Sequence, residues 1–201
     1  RDTINQAFPS LSQAKELSFD NLLHLAEQVG AGANGLFCLP FFAGERSPNY
    51  NINARAMFCG MTLEHDARHL ARSLIEGIAF RMKSLNDAMN EAGITVRKIH
   101  ASGGYARSDF WLQVVASVLN HDLVTLSWGE TSSLGAAFWT LLGSGRLTSI
   151  EESGTLVSID KICQPIPEEA RIYNQIYPIH TSIYSAMVPV FDQIDAFQQQ
   201  N

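Results

Sequence analysis

Residues His100–Gln113 read HASGGYARSDFWLQ. A short apolar run ends in Gly103-Gly104, and Ser108 follows at the start of a helical pattern. Glycine has no Cβ, so a paired-glycine bend lets a flat ligand, an adenine or a ribose, rest against bare main chain. The helix start beyond it offers unpaired N–H groups and a partial positive charge. Ser108 is placed either to cap that helix or to bond the base. The same residues also satisfy an ordinary tight turn. They are not a P-loop, since no Gly-Lys-Ser/Thr follows, and the spacing is not G-x-G-x-x-G.

Two further stretches carry chemistry-bearing side chains. HDARH, from His65 to His69, puts two histidines four apart on one helix face, the ligand spacing of a zinc-protease helix. Asp66 stands where a longer Glu base would be, and no third ligand is near in sequence, so a solvated first helical turn is the simpler reading. GERSPNYNINAR concentrates Glu45, Arg46, Asn49, Asn51, Asn53 and Arg55. Such a loop either meets a ligand or second domain, or holds itself by Arg–carboxylate and Asn–backbone bonds. No G-x-S-x-G elbow occurs, so a hydrolase triad has no support.

The elements that must position these residues are legible from periodicity and caps. SFDNLLHLAEQVGAG predicts a helix capped by Ser18 and ended by Gly30. GLFCLPFF and AMFCGMTL read as strands, with the polar loop between them. A long helix is expected over Asp66 to Glu91, where Ile75, Ile78, Met82, Leu85 and Met89 share a face. VRKIHAS and DLVTLS are strands on either side of the Ser108-capped helix SDFWLQVVASVLN. SSLGAAFWTLLGSG is a further helix with small residues for close packing. From about Glu168 to Gln198 a stripe of Ile172, Ile176, Ile179, Ile183, Met187, Val190 and Ile194 predicts helix, kinked or broken at Pro178 and Pro189. The alternation implies an α/β fold, a mixed sheet flanked by helices, with a C-terminal helical tail. The expected organisation is a lead-in over 1–17, a domain over 18–160 and a helical extension over 161–201 packed on it.

Composition narrows the function classes. The 201 residues carry a net charge of −6, which gives no electrostatic case for nucleic acid or an anionic membrane. There is no apolar run of about twenty residues to span a bilayer and no signal peptide at the start. Cys38, Cys59 and Cys163 form no C-x-x-C pair and read as reduced thiols, which points to a cytoplasmic home. Arg1 in place of Met is what a fragment of a longer chain would show, as would a chain whose start had been removed by processing.

Taken in order, these segments resemble the C-terminal domain of the FGGY carbohydrate kinases, from about Asn21 to Gly145. GLFCLPFFAGERSPNYNINAR is similar to the family's Leu-Pro, Gly-Glu-Arg-Ser/Thr-Pro and Asn-x-x-Ala-Arg segment. GMTLEHDARHLARSLIEGIAF is similar to its second signature, through Gly60, Met61, His69, Leu70, Ser73 and Glu76. SGGYARSDFWLQVVASVLN resembles its adenosine motif, and ETSSLGAAFWTLLGSG its closing helix. Ala56, Leu74, Tyr105 and Asn120-His121 depart from the pattern, and Tyr105 is placed to narrow the adenine pocket or stack in it.

The resemblance implies an actin-like, ribonuclease-H-like ATPase domain. It implies ATP and Mg²⁺ as cofactors, with Gly103, Gly104 and Ser108 as ATP-binding residues. Glu45 and Arg46 then belong to a loop facing the interdomain cleft, and Gly135 and Ala136 to a close-packed helix beneath the nucleotide. The partner is an N-terminal kinase domain of the same polypeptide, which holds the phosphate loop, the catalytic Asp and most of the sugar site. No catalytic residue and no metal ligand is expected in this chain, and the isolated piece is expected to be inactive. The form of the Glu-Arg-Ser-Pro loop is more like gluconate kinases and close to xylulose kinases. The alternative reading is a non-catalytic actin-like scaffold, in which the isoleucine stripe serves a homodimer.

Overall fold

A computed structural model describes residues 18–129 and 131–200. The expected lead-in over 1–17 lies outside the described residues. Helix α1 (Phe19–Glu27) starts as predicted, with Ser18 Oγ accepting from the Asn21 N–H. Strands β1 (Phe37–Leu39) and β2 (Met57–Cys59) form an antiparallel pair joined by the long polar loop. Helix α2 (Ala67–Glu91) is the central element. Its buried face packs on α1, on β1 and on helix α3 (Asp109–Leu119). The approach to β1 is so close that a Cβ on Gly77 would stand 2.3 Å from the Cys38 carbonyl oxygen.

The second sheet holds β3 (Ile99–Ala101), β4 (Leu123–Leu126) and β5 (Ile159–Cys163) in that order. β3 and β4 run parallel with α3 as their crossover, and β5 is antiparallel to β4. The buried core runs from Ala26 through Ile75, Ala79 and Phe80 of α2 to Leu112, Val115 and Val118 of α3 and Leu123 of β4. At the end of α3, Asn120 takes the left-handed conformation (φ 49°, ψ 47°), so a side chain tolerant of that region does the work of the glycine usual there. β5 lacks an alternating apolar pattern and is not expected from periodicity. It also crosses the boundary expected at 160.

Helix α4 (Thr131–Gly143) departs from expectation. None of its residues is buried, Trp139 is 65% exposed, and a Cβ on Gly135 would meet no atom within 4 Å. Gly135 and Ala136 therefore do not serve a close-packed helix contact among the described residues.

The C-terminal stripe is one unbroken helix, α5 (Pro167–Gln199), with Pro178 and Pro189 inside it. The hydroxyls of Thr181, Ser182 and Ser185 bond back to the carbonyls of Tyr177, Pro178 and Thr181, which engages backbone acceptors around the first proline. Docking overrides the local penalty. The face that seats against the domain centres on Tyr173, His180 and Phe191, with Ile176, Ile183 and Met187 of the stripe packed beside them and Ile179 and Val190 exposed. Phe191 closes a second small core with Leu39, Phe41 and Ala54. Buried His180, 5% exposed, donates from Nε2 to the Cys38 carbonyl at 3.3 Å. Burial pushes its imidazole down to about 4.

Candidate functional site

The paired-glycine turn leaves β3 at its C-terminal end, where ligands gather in open α/β sheets. Gly103 has φ +84°, a region that side chains disfavour, so the bend itself calls for glycine there. Gly104 does not need to be glycine for the fold. It has φ −60° and ψ −42°, ordinary right-handed backbone, and a Cβ built on it meets nothing within 4 Å. A 3₁₀ turn (Tyr105–Arg107) follows, and Ser108 caps α3 by accepting from the Trp111 N–H at 3.2 Å. Ser108 Oγ is thereby used as an acceptor, and its own proton remains available to a ligand.

Two clefts flank this turn. The first, of about 520 Å³, lies between the turn and α1, with Gly104, Ser108 and Phe110 on one side and Phe19 and Leu23 on the other. Its rim on α1 carries Asp20, His24 and Glu27. The second, of about 350 Å³, opens at the ends of β3 and β4 and is lined by Ser102, Gly103, Thr125, Ser127 and Lys161. Arg107 borders both. Both volumes fall in the range usual for small-molecule sites, roughly 300–1,000 Å³. Lys161 pairs with Asp109 at the start of α3, and Thr131 of α4 donates to Ser102 Oγ at 3.2 Å.

The sequence places Gly103, Gly104 and Ser108 together, and the structure keeps them so. Tyr105 lines neither cleft; its ring turns towards Trp111, centroids 6.3 Å apart. Phe19, Phe110 and Arg107 were not singled out from sequence. Phe110 sits two residues after the cap, a legible clue, whereas Phe19 comes from a helix whose approach only the tertiary fold reveals.

Glu45 and Arg46 part company. Arg46 is exposed, but Glu45 is 2% exposed and turned inward. Its carboxylate accepts from the Asn49 backbone and side chain, from Arg81 at 2.7 Å and from the Tyr184 hydroxyl. Asn53 and Arg55 reach Asp192 and Asp195 on α5. The loop is thus held by its own bonds and by α5, and Glu45 organises it rather than offering itself to a cleft.

The histidine pair is likewise engaged. His65 Nδ1 accepts from the Thr62 N–H at 2.9 Å, leaving Nε2–H to donate to the Asn34 carbonyl. His69 Nδ1 lies 2.9 Å from Asp66, the N-cap of α2. Bonds from Arg68 and His69 hold the Asp66 carboxyl well below the usual carboxylate range. Among the described residues, no group of three or more His, Cys, Asp or Glu could hold a metal ion. The three cysteines are unpaired. No described helix is long and apolar enough to cross a membrane.

A mixed sheet flanked by helices, with a glycine turn leaving a parallel strand, is the architecture of an actin-like ATPase domain, and solved structures bear this out. The chain is similar to ligand-bound xylulose kinase from Lactobacillus acidophilus, at TM-score 0.81 and 31% identity, covering 93% of this chain and 39% of that one. Gluconate kinase from Lactobacillus acidophilus superposes at TM-score 0.78 and 31% identity, covering 87% and 36%. The profile of the FGGY family of carbohydrate kinases, C-terminal domain, matches residues 2–143. Xylulose kinase of Staphylococcus epidermidis is 34% identical over 168 residues, 83% of this chain and 34% of that protein. Gluconokinase of Bacillus licheniformis is 30% identical over 197 residues, 96% of this chain and 38% of that protein. The chain belongs to the FGGY family of carbohydrate kinases. It spans about a third of the length of the curated relatives it matches.

Proposed function

We propose that this chain is the nucleotide-binding part of an ATP-dependent carbohydrate kinase acting on gluconate or a related sugar or sugar acid. The observation that carries the reading is Gly104, a glycine whose backbone does not require it and whose missing side chain opens onto a cleft. A ligand resting on the main chain explains it. Two carboxylates, Asp20 and Glu27, border the first cleft against one guanidinium, Arg107, a balance that favours the uncharged nucleoside end there over the phosphates. Gly103, Gly104 and Ser108 then form the shelf, with the Ser108 hydroxyl a donor to the base. Xylulose is the alternative substrate, because relatives of both kinds match at similar identity.

Bound ATP supplies the γ-phosphoryl group. In the transfer, a substrate hydroxyl oxygen forms a bond to the γ-phosphorus as the bond to the β-phosphate oxygen breaks, in line, and the hydroxyl proton passes to a carboxylate. That carboxylate belongs to the companion N-terminal domain, with the sugar site. Mg²⁺, held by the nucleotide's phosphates and not by described residues of this chain, would offset their negative charge. This chain's residues bind and orient the nucleoside, and closure of the two domains excludes water, the competing acceptor.

The reading is tested on the 201-residue chain with MgADP and MgATP. The chain should bind both weakly and show no turnover with gluconate or xylulose. Robust turnover would move the catalytic carboxylate into this chain, and absence of nucleotide binding would favour a scaffold role.

A further inference from the structure

One buried cation joins the C-terminal helix to the first cleft. The Arg72 guanidinium is 2% exposed. Its Nε donates to Glu76 Oε1 at 2.7 Å, and Nη2 donates to the Tyr173 hydroxyl at 2.6 Å. Tyr173 donates to the same Glu76 oxygen at 3.0 Å, as does the Gly32 N–H at 2.9 Å. Glu169 approaches Arg72 at 3.8 Å, with its other oxygen buried and unpartnered among the described residues. Burial raises the Glu76 carboxyl, while Arg72 and these hydrogen bonds oppose the rise. Groups from α2, α5 and the Gly32 turn therefore fix one guanidinium in place. Its central carbon lies 5.1 Å from the centroid of the Phe110 ring.

Phe110 stands in the first turn of α3 and lines the cleft shared with Gly104 and Ser108. We propose that Phe110 is the wall on which the purine base stacks, and that Arg72 is the positioning residue that holds this ring. Helix α5 then contributes to nucleotide affinity through Tyr173. The inference rests on the nucleotide reading above and goes further, in naming the base contact and its support. A purine needs an aromatic or apolar plane beside the glycine shelf. Phe19, the other aromatic of the cleft, is 47% exposed and sits at the start of α1. Phe110 is the one braced by a buried charge. A cation against one face of an aromatic ring draws its π density, which leaves the ring a better partner for an electron-rich base. Packing alone does not call for the charge, since apolar side chains fill such a space at equal or lower cost.

The experiment compares the 201-residue chain with Phe110→Leu and Tyr173→Phe, avoiding Arg72 because its loss strands Glu76. ADP affinity is measured by calorimetry, the adenine proton shifts by NMR, and folding by thermal melting. The parent chain should bind ADP with upfield, ring-current-shifted adenine protons. Phe110→Leu should weaken ADP binding about fivefold or more and abolish the shift while still melting cooperatively. Tyr173→Phe, remote from the cleft, should weaken ADP about two- to fivefold and reduce the shift, a change that a purely structural hydroxyl would not produce. If Phe110→Leu binds ADP like the parent with the shift intact, the base contact is wrong although the nucleotide reading survives. If only Tyr173→Phe is silent, the role of α5 falls. If the parent itself binds no ADP, the nucleotide reading fails first and takes this one with it.

Discussion

Gly104→Val separates the needs of the fold from those of a ligand. The backbone at Gly104 is right-handed, and a Cβ there meets no atom within 4 Å. Removing a glycine's freedom from the unfolded chain at a compatible site stabilises by about 0.4–1 kcal/mol, and a β-branched side chain in a turn returns part of that. Net stability should therefore stay within about 1 kcal/mol of the parent. The isopropyl group stands in the first cleft, over the shelf. If a base covers about 50 Å² of apolar surface there, losing that contact at ~25 cal/mol per Å² removes about 1.3 kcal/mol, close to tenfold in affinity, before any steric clash. Titration calorimetry with MgADP, paired with urea unfolding, reads both quantities. Gly104→Ala should fall between parent and valine in affinity. Unchanged ADP affinity in Gly104→Val, with the protein folded, would refute the shelf.

Further expectations follow from other parts of the molecule. Gly103→Ala, at φ +84°, should lose about 1–2 kcal/mol of stability, read as a lower urea midpoint, because strain and not crowding is at work there. Gly77→Ala drives a methyl into the Cys38 carbonyl and should cost about 3 kcal/mol, measured by denaturant unfolding; a near-neutral result would mean that α2 and β1 separate easily. Tyr184→Phe removes the hydroxyl donated to buried Glu45 and should cost about 1.5–3 kcal/mol while leaving ADP affinity within about twofold, since neither residue lines the glycine clefts. His180 is held neutral to about pH 4 in the fold, whereas an unfolded histidine takes up its proton near pH 6.5. The unfolded state thus binds more protons between those values, and stability falls as pH drops from about 6.5 to 4, by at most about 3 kcal/mol. His180→Asn should flatten that part of the stability–pH curve, and an unchanged slope would assign it to other groups.

What sequence could reveal depended on whether a residue's role was local. The Ser18 and Ser108 caps and the glycine bend are set by neighbours within a turn or two, and the structure keeps them. Of the face expected on α2 only Ile75 is buried, with Leu85 and Met89 exposed, because the helix outruns the core and buries Ala71, Arg72, Glu76, Ala79 and Phe80 in its N-terminal half instead. β5 was invisible because IDKIC carries no alternation, and its pairing with β4 is a tertiary matter. The prolines of α5 are expected to kink or break the helix on local grounds; it is not broken, and runs through both while packed on α3 and β1. Glu45 shows the same limit: its type and its loop fit a cleft, yet Arg81 and Tyr184, distant in the chain, draw it inside. For the first cleft, the glycine turn and the Ser108 cap are legible and the opposite wall is not, since Phe19 lies on a helix far upstream.

The long terminal helix also sets an order of events during synthesis. Its bonds to Cys38, Glu45, Asn53 and Arg55 all join positions 139 to 142 residues apart. Each closes a loop of nearly the same span, so none forms early, and the entropy of that closure is met once and then shared. While a ribosome is still adding α5, the apolar groups of Leu39, Phe41 and Ala54 await Phe191. Until then the β1–β2 hairpin and its loop hold that apolar surface open to water.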